Sequence, residues 1–314
     1  MTRRDILKAG AAGALAAGGA VAATGEPAAR AEATHPPIGR FVEAAGVQLH
    51  YVEAGEGPPV VLIHGASGNL RDFSFDLLDR MARAGFRAIA FDRPGFGYSG
   101  RPAGADDPAI QARILIAGAR ALGALPAIAL GHSYGGAVAM AWATQASQTL
   151  RGAVVVAGAT LPWGGDAGLL YNLGARPVLG GLVRRTVGLL VDEDAPDALV
   201  SRIFRPDRAP EGYASHIGVG LALRPETFRA NAADLHALNG HLERLAPRYA
   251  ELDLPLEVLH GTADQTVWAD VHAIPLARQA PRARLTLLEG VGHMPHHAAP
   301  DAVVAAALRL RGDG

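Results

Sequence analysis

Short apolar runs alternate with helix-period stretches along most of this chain. Pro59 to Ile63, Arg87 to Phe91, Ala127 to Leu130, Leu150 to Val156, Leu256 to His260 and Leu285 to Leu288 are short and predominantly apolar, the pattern of strands covered on both faces. Ahead of them, Phe41-Val42 and Val47 to Val52 read as an antiparallel pair joined at Ala45-Gly46; the second alternates apolar and polar positions as a half-exposed strand does. Between the runs, Arg71 to Ala84 places Phe75, Leu78 and Met81 at helical spacing with Gly85 as a stop, and Ile110 to Leu122 and Ala137 to Ala143 also read as helices. This rhythm predicts an α/β protein: a mostly parallel, doubly wound sheet with helices on both faces and ligands at the carboxyl ends of the strands.

Two regions break the rhythm. From 160 to 249 there are helix-like segments, Leu179 to Leu190, Asp197 to Phe204 and Glu226 to Leu245, and no buried strand. This predicts a helical insertion after the sixth strand, with 32–159 and 250–314 forming the core. Trp163, Leu169, Tyr171 and Leu221 are its candidate pocket or core residues. The other region is the N-terminus. Arg3-Arg4 precede an Ala/Gly-rich stretch from Ala9 to Ala23, and Ala29-Arg30-Ala31 offers small residues at a cleavage site. Residues 1–31 therefore resemble a twin-arginine export signal. The stretch is too short and too weakly apolar for a membrane span, which needs about twenty strongly apolar residues. The expected location is periplasmic or secreted, with the twin-arginine machinery as a partner in transit and no stable membrane span in the mature form.

Composition narrows the chemistry. The chain of 314 residues is 49% hydrophobic, enough for one large core. A formal net charge of −1 provides no field for nucleic acid, so the expected partner is a small neutral molecule. Cysteine is absent, which removes disulfides, thiolate nucleophiles and cysteine metal sites. Gly95, Gly97 and Gly100 satisfy a dinucleotide-like G-x-G-x-x-G. Pro94 before it and Arg101-Pro102 after it deny it the helix such a motif must open. His293, His296 and His297 crowd one loop, but no carboxylate-rich set accompanies them in the sequence. No metal and no cofactor are expected.

One stretch carries chemistry of its own. Gly131-His132-Ser133-Tyr134-Gly135 lies between an apolar run and an Ala-rich helix, so G-x-S-x-G must turn strand into helix within a few residues. In such a nucleophile elbow the serine hydroxyl stands free at a strained turn, and the glycines let the backbones pass closely.

From about Phe41 to the C-terminus, the chain resembles the α/β-hydrolase fold superfamily, in its serine-nucleophile, esterase-like branch. The resemblance rests on the elbow, on His64-Gly65 after the third strand, on the Asp92-Arg93-Pro94-Gly95 turn, on Asp264 after one late strand and on His293 after the next. It implies Ser133 as nucleophile, His293 as general base and Asp264 as the acid that orients it. It places oxyanion donors at the backbone N–H groups of Ala66 and Tyr134, with His64 packing structurally, and makes the insertion a cap over the site. Asp270 is the alternative acid, expected within the following helix. Dehalogenases and epoxide hydrolases of this fold use a carboxylate at the elbow, which Ser133 excludes. The function implied is hydrolysis of small to medium neutral carboxylic esters or lactones through an acyl-enzyme. Alternatives are a C–C bond hydrolase acting on diketone-like ring-fission products, and a receptor-like ligand-binding protein with a slow triad.

Overall fold

A computed structural model describes residues 26–165, 175 and 196–312. Eight strands form one sheet: β1 (Arg40–Ala44), β2 (Val47–Ala54), β3 (Pro59–Ile63), β4 (Arg87–Phe91), β5 (Ala127–His132), β6 (Leu150–Val156), β7 (Leu256–Gly261) and β8 (Ala283–Leu288). Their order is β1-β2-β4-β3-β5-β6-β7-β8. The first hairpin is antiparallel and β2 runs antiparallel to β4; all later pairs are parallel. This is the doubly wound sheet that the hydrophobic pattern predicts.

Alternation along each strand divides the core in two. Val61, Ile63, Ile89, Phe91, Ala129 and Val155 face a cluster with α4 (Pro108–Ala121) and α5 (Tyr134–Ala146), including Leu115 and Trp142. Val60, Leu62, Ala88, Ala90, Leu130 and Val156 face the opposite cluster, with Leu77 and Met81 on one helix and Val303 and Ala307 on another. Each fully buried Val, Leu or Ile contributes about 1.5–3 kcal/mol. Such burial on both faces explains the lack of polar alternation in β3 and β5.

The helix expected over Arg71 to Ala84 is divided into α2 (Arg71–Ser74) and α3 (Leu77–Arg83). Asp76, at φ −156°, breaks the turn. The interruption lets Phe75 join a third cluster with Val200, Phe204, Tyr213, Ile217 and Met294, while Leu78 and Met81 remain on the sheet.

Between β6 and β7 the described elements are helical: α6 (Pro196–Phe204), α7 (Tyr213–Ile217), α8 (Val219–Ala222) and α9 (Pro225–Leu245), with a 3-10 turn at Ala246–Glu251. The expected segment Leu179 to Leu190, together with Leu169 and Tyr171, lies outside the described residues, as do Arg3, Arg4 and the Ala-rich stretch behind them. After β7 come α10 (Ala273–Gln279), α11 (Pro295–Ala298) and α12 (Pro300–Arg309).

At the N-terminal end, α1 (Glu26–Thr34) spans the expected cleavage site. Ala31 is buried, and a Cβ on Gly220 of α8 would lie 3.0 Å from its methyl group. Glu32 pairs with Arg224 at 3.0 Å. Residues on both sides of the expected cleavage point thus pack on the helical insertion. No helix among the described residues is long and apolar enough to cross a membrane.

Candidate active site

Ser133 follows β5, at the middle of the sheet, and holds φ 53° and ψ −118°. Positive φ is sterically costly for a residue with a Cβ. Close packing imposes it here: a Cβ on Gly131 would meet the Gly135 carbonyl oxygen at 2.1 Å, and one on Gly135 would meet that of Ile63 at 2.0 Å. Only glycine at both positions lets β5, α5 and the end of β3 come together. Ser133 donates its N–H to Val156 and accepts from Gly136 and Ala159, so strand, helix and neighbouring strand all hold the elbow.

The loops after β7 and β8 bring the other two expected residues to it. His293 Nδ1 lies 2.8 Å from Asp264 Oδ2, and its Nε2 lies 3.1 Å from Ser133 Oγ. A carboxylate only accepts, so Nδ1 carries the proton; Nε2 is left to accept from the serine hydroxyl. Asp264 Oδ1 also takes the N–H groups of Thr266 and Val267, and His260 Nε2 stands 3.3 Å from Oδ2. Burial alone would raise the Asp264 carboxyl pKa, but the hydrogen bonds from His260 and His293 outweigh it and hold the group well below the usual range. Asp270 is exposed, in a turn before α10 begins rather than inside a helix. It takes no part in this chain of hydrogen bonds.

Ala66 sits in the loop after β3, one residue beyond Gly65, on which a Cβ would come 3.1 Å from that of Ser133. Tyr134 is the first residue of α5, where backbone N–H groups have no helical partner. The Tyr134 amide follows the serine directly in the chain, and the Ala66 amide follows the glycine that packs on it. His64 is wholly buried, receives the Arg93 N–H at Nε2 and bonds the Gly65 carbonyl from Nδ1. Burial, then Arg93, lowers its pKa to about 4, so it is a neutral structural group.

Sequence reasoning missed the support of this loop. Asn231 of α9 accepts the Ser67 N–H at 2.7 Å and donates to the Ser67 hydroxyl at 2.9 Å. Arg93, fully buried, donates to the carbonyls of His64 and Gly65 and pairs with Asp234 of α9 at 2.7 Å. Gln111 and Arg101 complete that network. On the other side, Asp207 accepts the Gly292 N–H at 2.7 Å, and a Cβ on Gly292 would strike the Arg205 carbonyl oxygen. Among the expected pocket residues, Trp163 packs its ring on His272, and Leu221 is buried.

No carboxylate-rich set was expected beside the loop histidines, and the fold brings one distant carboxylate to them. Asp72 of α2 reaches His296 Nε2 at 3.1 Å and His297 Nε2 at 2.8 Å, and also accepts from the Tyr213 hydroxyl. Burial would raise its pKa, but His296 and His297 hold it well below the usual range. The carboxylate comes from more than two hundred residues away, which no local spacing reveals.

A strained serine at the end of a central parallel strand, bonded to a histidine that is bonded to a buried carboxylate, defines the class of nucleophile-elbow hydrolases. The chain belongs to the alpha/beta hydrolase family, whose sequence pattern it matches over residues 60–307. It is 29% identical over 267 residues to a 2-hydroxymuconate semialdehyde hydrolase from Pseudomonas putida, a match covering 77% of this chain and 92% of that one. Among solved structures, it is similar to an esterase from a Rhodococcus species, with 27% identity, TM-score 0.64, and 88% and 98% of the two chains covered. It also shares its fold with an enol-lactonase from Burkholderia xenovorans, with 21% identity, TM-score 0.70, and coverage of 86% and 99%.

Proposed function

We propose that this chain is a serine hydrolase of small to medium neutral carboxylic esters or lactones, acting through an acyl-enzyme. The observation that carries the reading is the continuous hydrogen-bonded run Ser133–His293–Asp264 at 3.1 and 2.8 Å. A serine hydroxyl is a poor nucleophile until a base removes its proton as the new bond forms. In this reading Ser133 Oγ attacks the ester carbonyl and its proton passes to His293 Nε2. The carbonyl becomes an oxyanion held by the N–H groups of Ala66 and Tyr134, each such donor being worth about 3 kcal/mol or more. On collapse, the C–O bond to the alcohol breaks, and His293 returns the proton to the leaving oxygen. Water, deprotonated by the same histidine, then releases the acid. Asp264 fixes the tautomer throughout and stays ionised. The reaction calls for no cofactor.

A second reading, hydrolytic C–C cleavage of diketone-like compounds, is favoured by the similarity to the Pseudomonas putida hydrolase. Initial rates on neutral esters of rising acyl length, on lactones and on diketones separate the two. Ester turnover that rises with acyl length and then falls once the pocket is filled supports the first reading. Turnover confined to diketones would replace it with the second, and covalent labelling without turnover of any substrate would favour a receptor.

The helical stretch 160–249 serves in this proposal as the cap over the site, and the product is exported by the twin-arginine route to the periplasm or beyond. Replacing Arg3 and Arg4 with Lys should retain a folded protein in the cytoplasm with its leader uncut. An unchanged exported yield would refute the export.

A further inference from the structure

The buried cluster behind the elbow has a feature that the serine chemistry does not use. His132, next to the nucleophile, lies 2.9 Å through Nε2 from the carbonyl oxygen of His293. A carbonyl only accepts, so Nε2 carries the hydrogen and Nδ1 is left as a bare lone pair. That Nδ1 is buried without a hydrogen-bond partner, 4.0 Å from Asp72 Oδ2. Two electron-rich atoms thus face each other at a separation that no single proton bridges as a hydrogen bond. His296 Nε2 stands on the same oxygen at 3.1 Å. The donor atoms of Asp72, His132 and His296 lie within 4.8 Å of one another, all three residues buried.

We propose that Asp72, His132 and His296 bind a divalent transition-metal ion of the zinc type. Two imidazoles and one carboxylate oxygen are the donors that zinc takes, whereas calcium and magnesium prefer oxygen alone. The outer contacts of two of the three ligands, His132 and Asp72, match those of a metal centre, while the outer ring nitrogen of His296 has no partner. A ligating histidine commonly donates its other ring N–H to a backbone carbonyl, as His132 does to His293. A ligating carboxylate is itself hydrogen-bonded, and Asp72 Oδ1 receives both the Tyr213 hydroxyl, at 2.7 Å, and His297 Nε2, at 2.8 Å. Oδ2 is thereby left for the ion. Binding shifts the His296 proton from Nε2 to its free ring nitrogen Nδ1, so that Nε2 can ligate, and a water molecule completes the tetrahedron. The ion would tie together three separate pieces of chain: α2, the elbow and α11, which follows the loop that carries His293. Its role is to hold these pieces, with no part in attack on the carbonyl.

The test uses the purified full chain, stripped with a chelator and dialysed. It is titrated with Zn2+ in a calorimeter and with Co2+ by visible absorption. One equivalent should bind per chain, with the intense ligand-field bands of a four-coordinate cobalt site, and Zn2+ should raise the unfolding temperature. Ser133→Ala should bind as the parent does. Asp72→Asn and His132→Asn should each bind at least about 100-fold more weakly, and Tyr213→Phe, which touches only the carboxylate, about 10–100-fold more weakly. Should the first two fail to fold, Tyr213→Phe keeps the question open to decision, because it removes a single oxygen. No binding by the parent overturns the proposal. So does binding that Asp72→Asn or Tyr213→Phe leaves undiminished, since the ion would then sit on other histidines.

Discussion

Among the described residues, Ser133 is the only non-glycine residue with positive φ that also stands at the end of a central strand with a base on its hydroxyl. Removing that hydroxyl or its base should be equivalent. Ser133→Ala and His293→Ala are each expected to reduce ester turnover by orders of magnitude, and the double variant to lose no more than either, because the groups act as one unit. Additive defects in the single-turnover rates would separate them. Asp264→Asn should cost on the order of 10⁴ in kcat by presenting the wrong imidazole tautomer, while the exposed Asp270→Asn should be nearly silent. A worse defect at Asp270, with both variants folded, would reverse the assignment of the acid. These three positions were legible because each stands just beyond its own apolar run, where a parallel sheet gathers its ligands. Asp72 and Asn231 were not. Their partners lie 225 and 164 residues away in the chain, so their meaning exists only after folding.

At the level of elements, strands were easier to read than helices. A strand buried on both faces writes a continuous apolar run, as in β3, β5 and β6. The break between α2 and α3 left no such mark, because Phe75, Leu78 and Met81 keep helical spacing although they serve different cores. The role of α9 was equally hidden. Its polar residues Asn231 and Asp234 look like part of a solvated face, yet both are buried against the core loops. Asp234 neutralises Arg93, which has no contact with solvent. Asp234→Ala leaves that guanidinium uncompensated and should destabilise the protein by about 3–5 kcal/mol, read as a shift of the urea midpoint. Asn231→Ala should be gentler on stability and harsher on kcat, because Ser67 and the loop bearing Ala66 lose their anchor. A loss confined to KM would argue against that coupling.

For the molecule as a whole, buried neutral histidines set the response to acid. Burial, first of all, holds both His64 and His272 down to a pKa of about 4, whereas an unfolded chain takes up these protons near pH 6.5. Their contribution is present in full above about pH 6.5 and is lost as the pH falls through about 4. Each accounts for up to about 3 kcal/mol, a large share of a total stability of about 5–15 kcal/mol. Asp264, with its pKa depressed, adds a loss only below about pH 4. Denaturant midpoints should therefore decline steadily between about pH 6.5 and pH 4. A flat profile there would show that both histidines accept protons without opening the fold.

The order in which the site is built has a consequence in time. Ser133 and His293 are separated by 160 residues. At about 5–20 residues per second, a ribosome takes roughly ten to thirty seconds to travel from one to the other. During that interval the elbow serine has been made, but its histidine has not. β7 and β8 are made within it, but the loop that follows β8 and carries His293 comes only at its end. The growing polypeptide thus carries an elbow serine with no histidine to take its proton until all but the last 21 residues of the chain have been made.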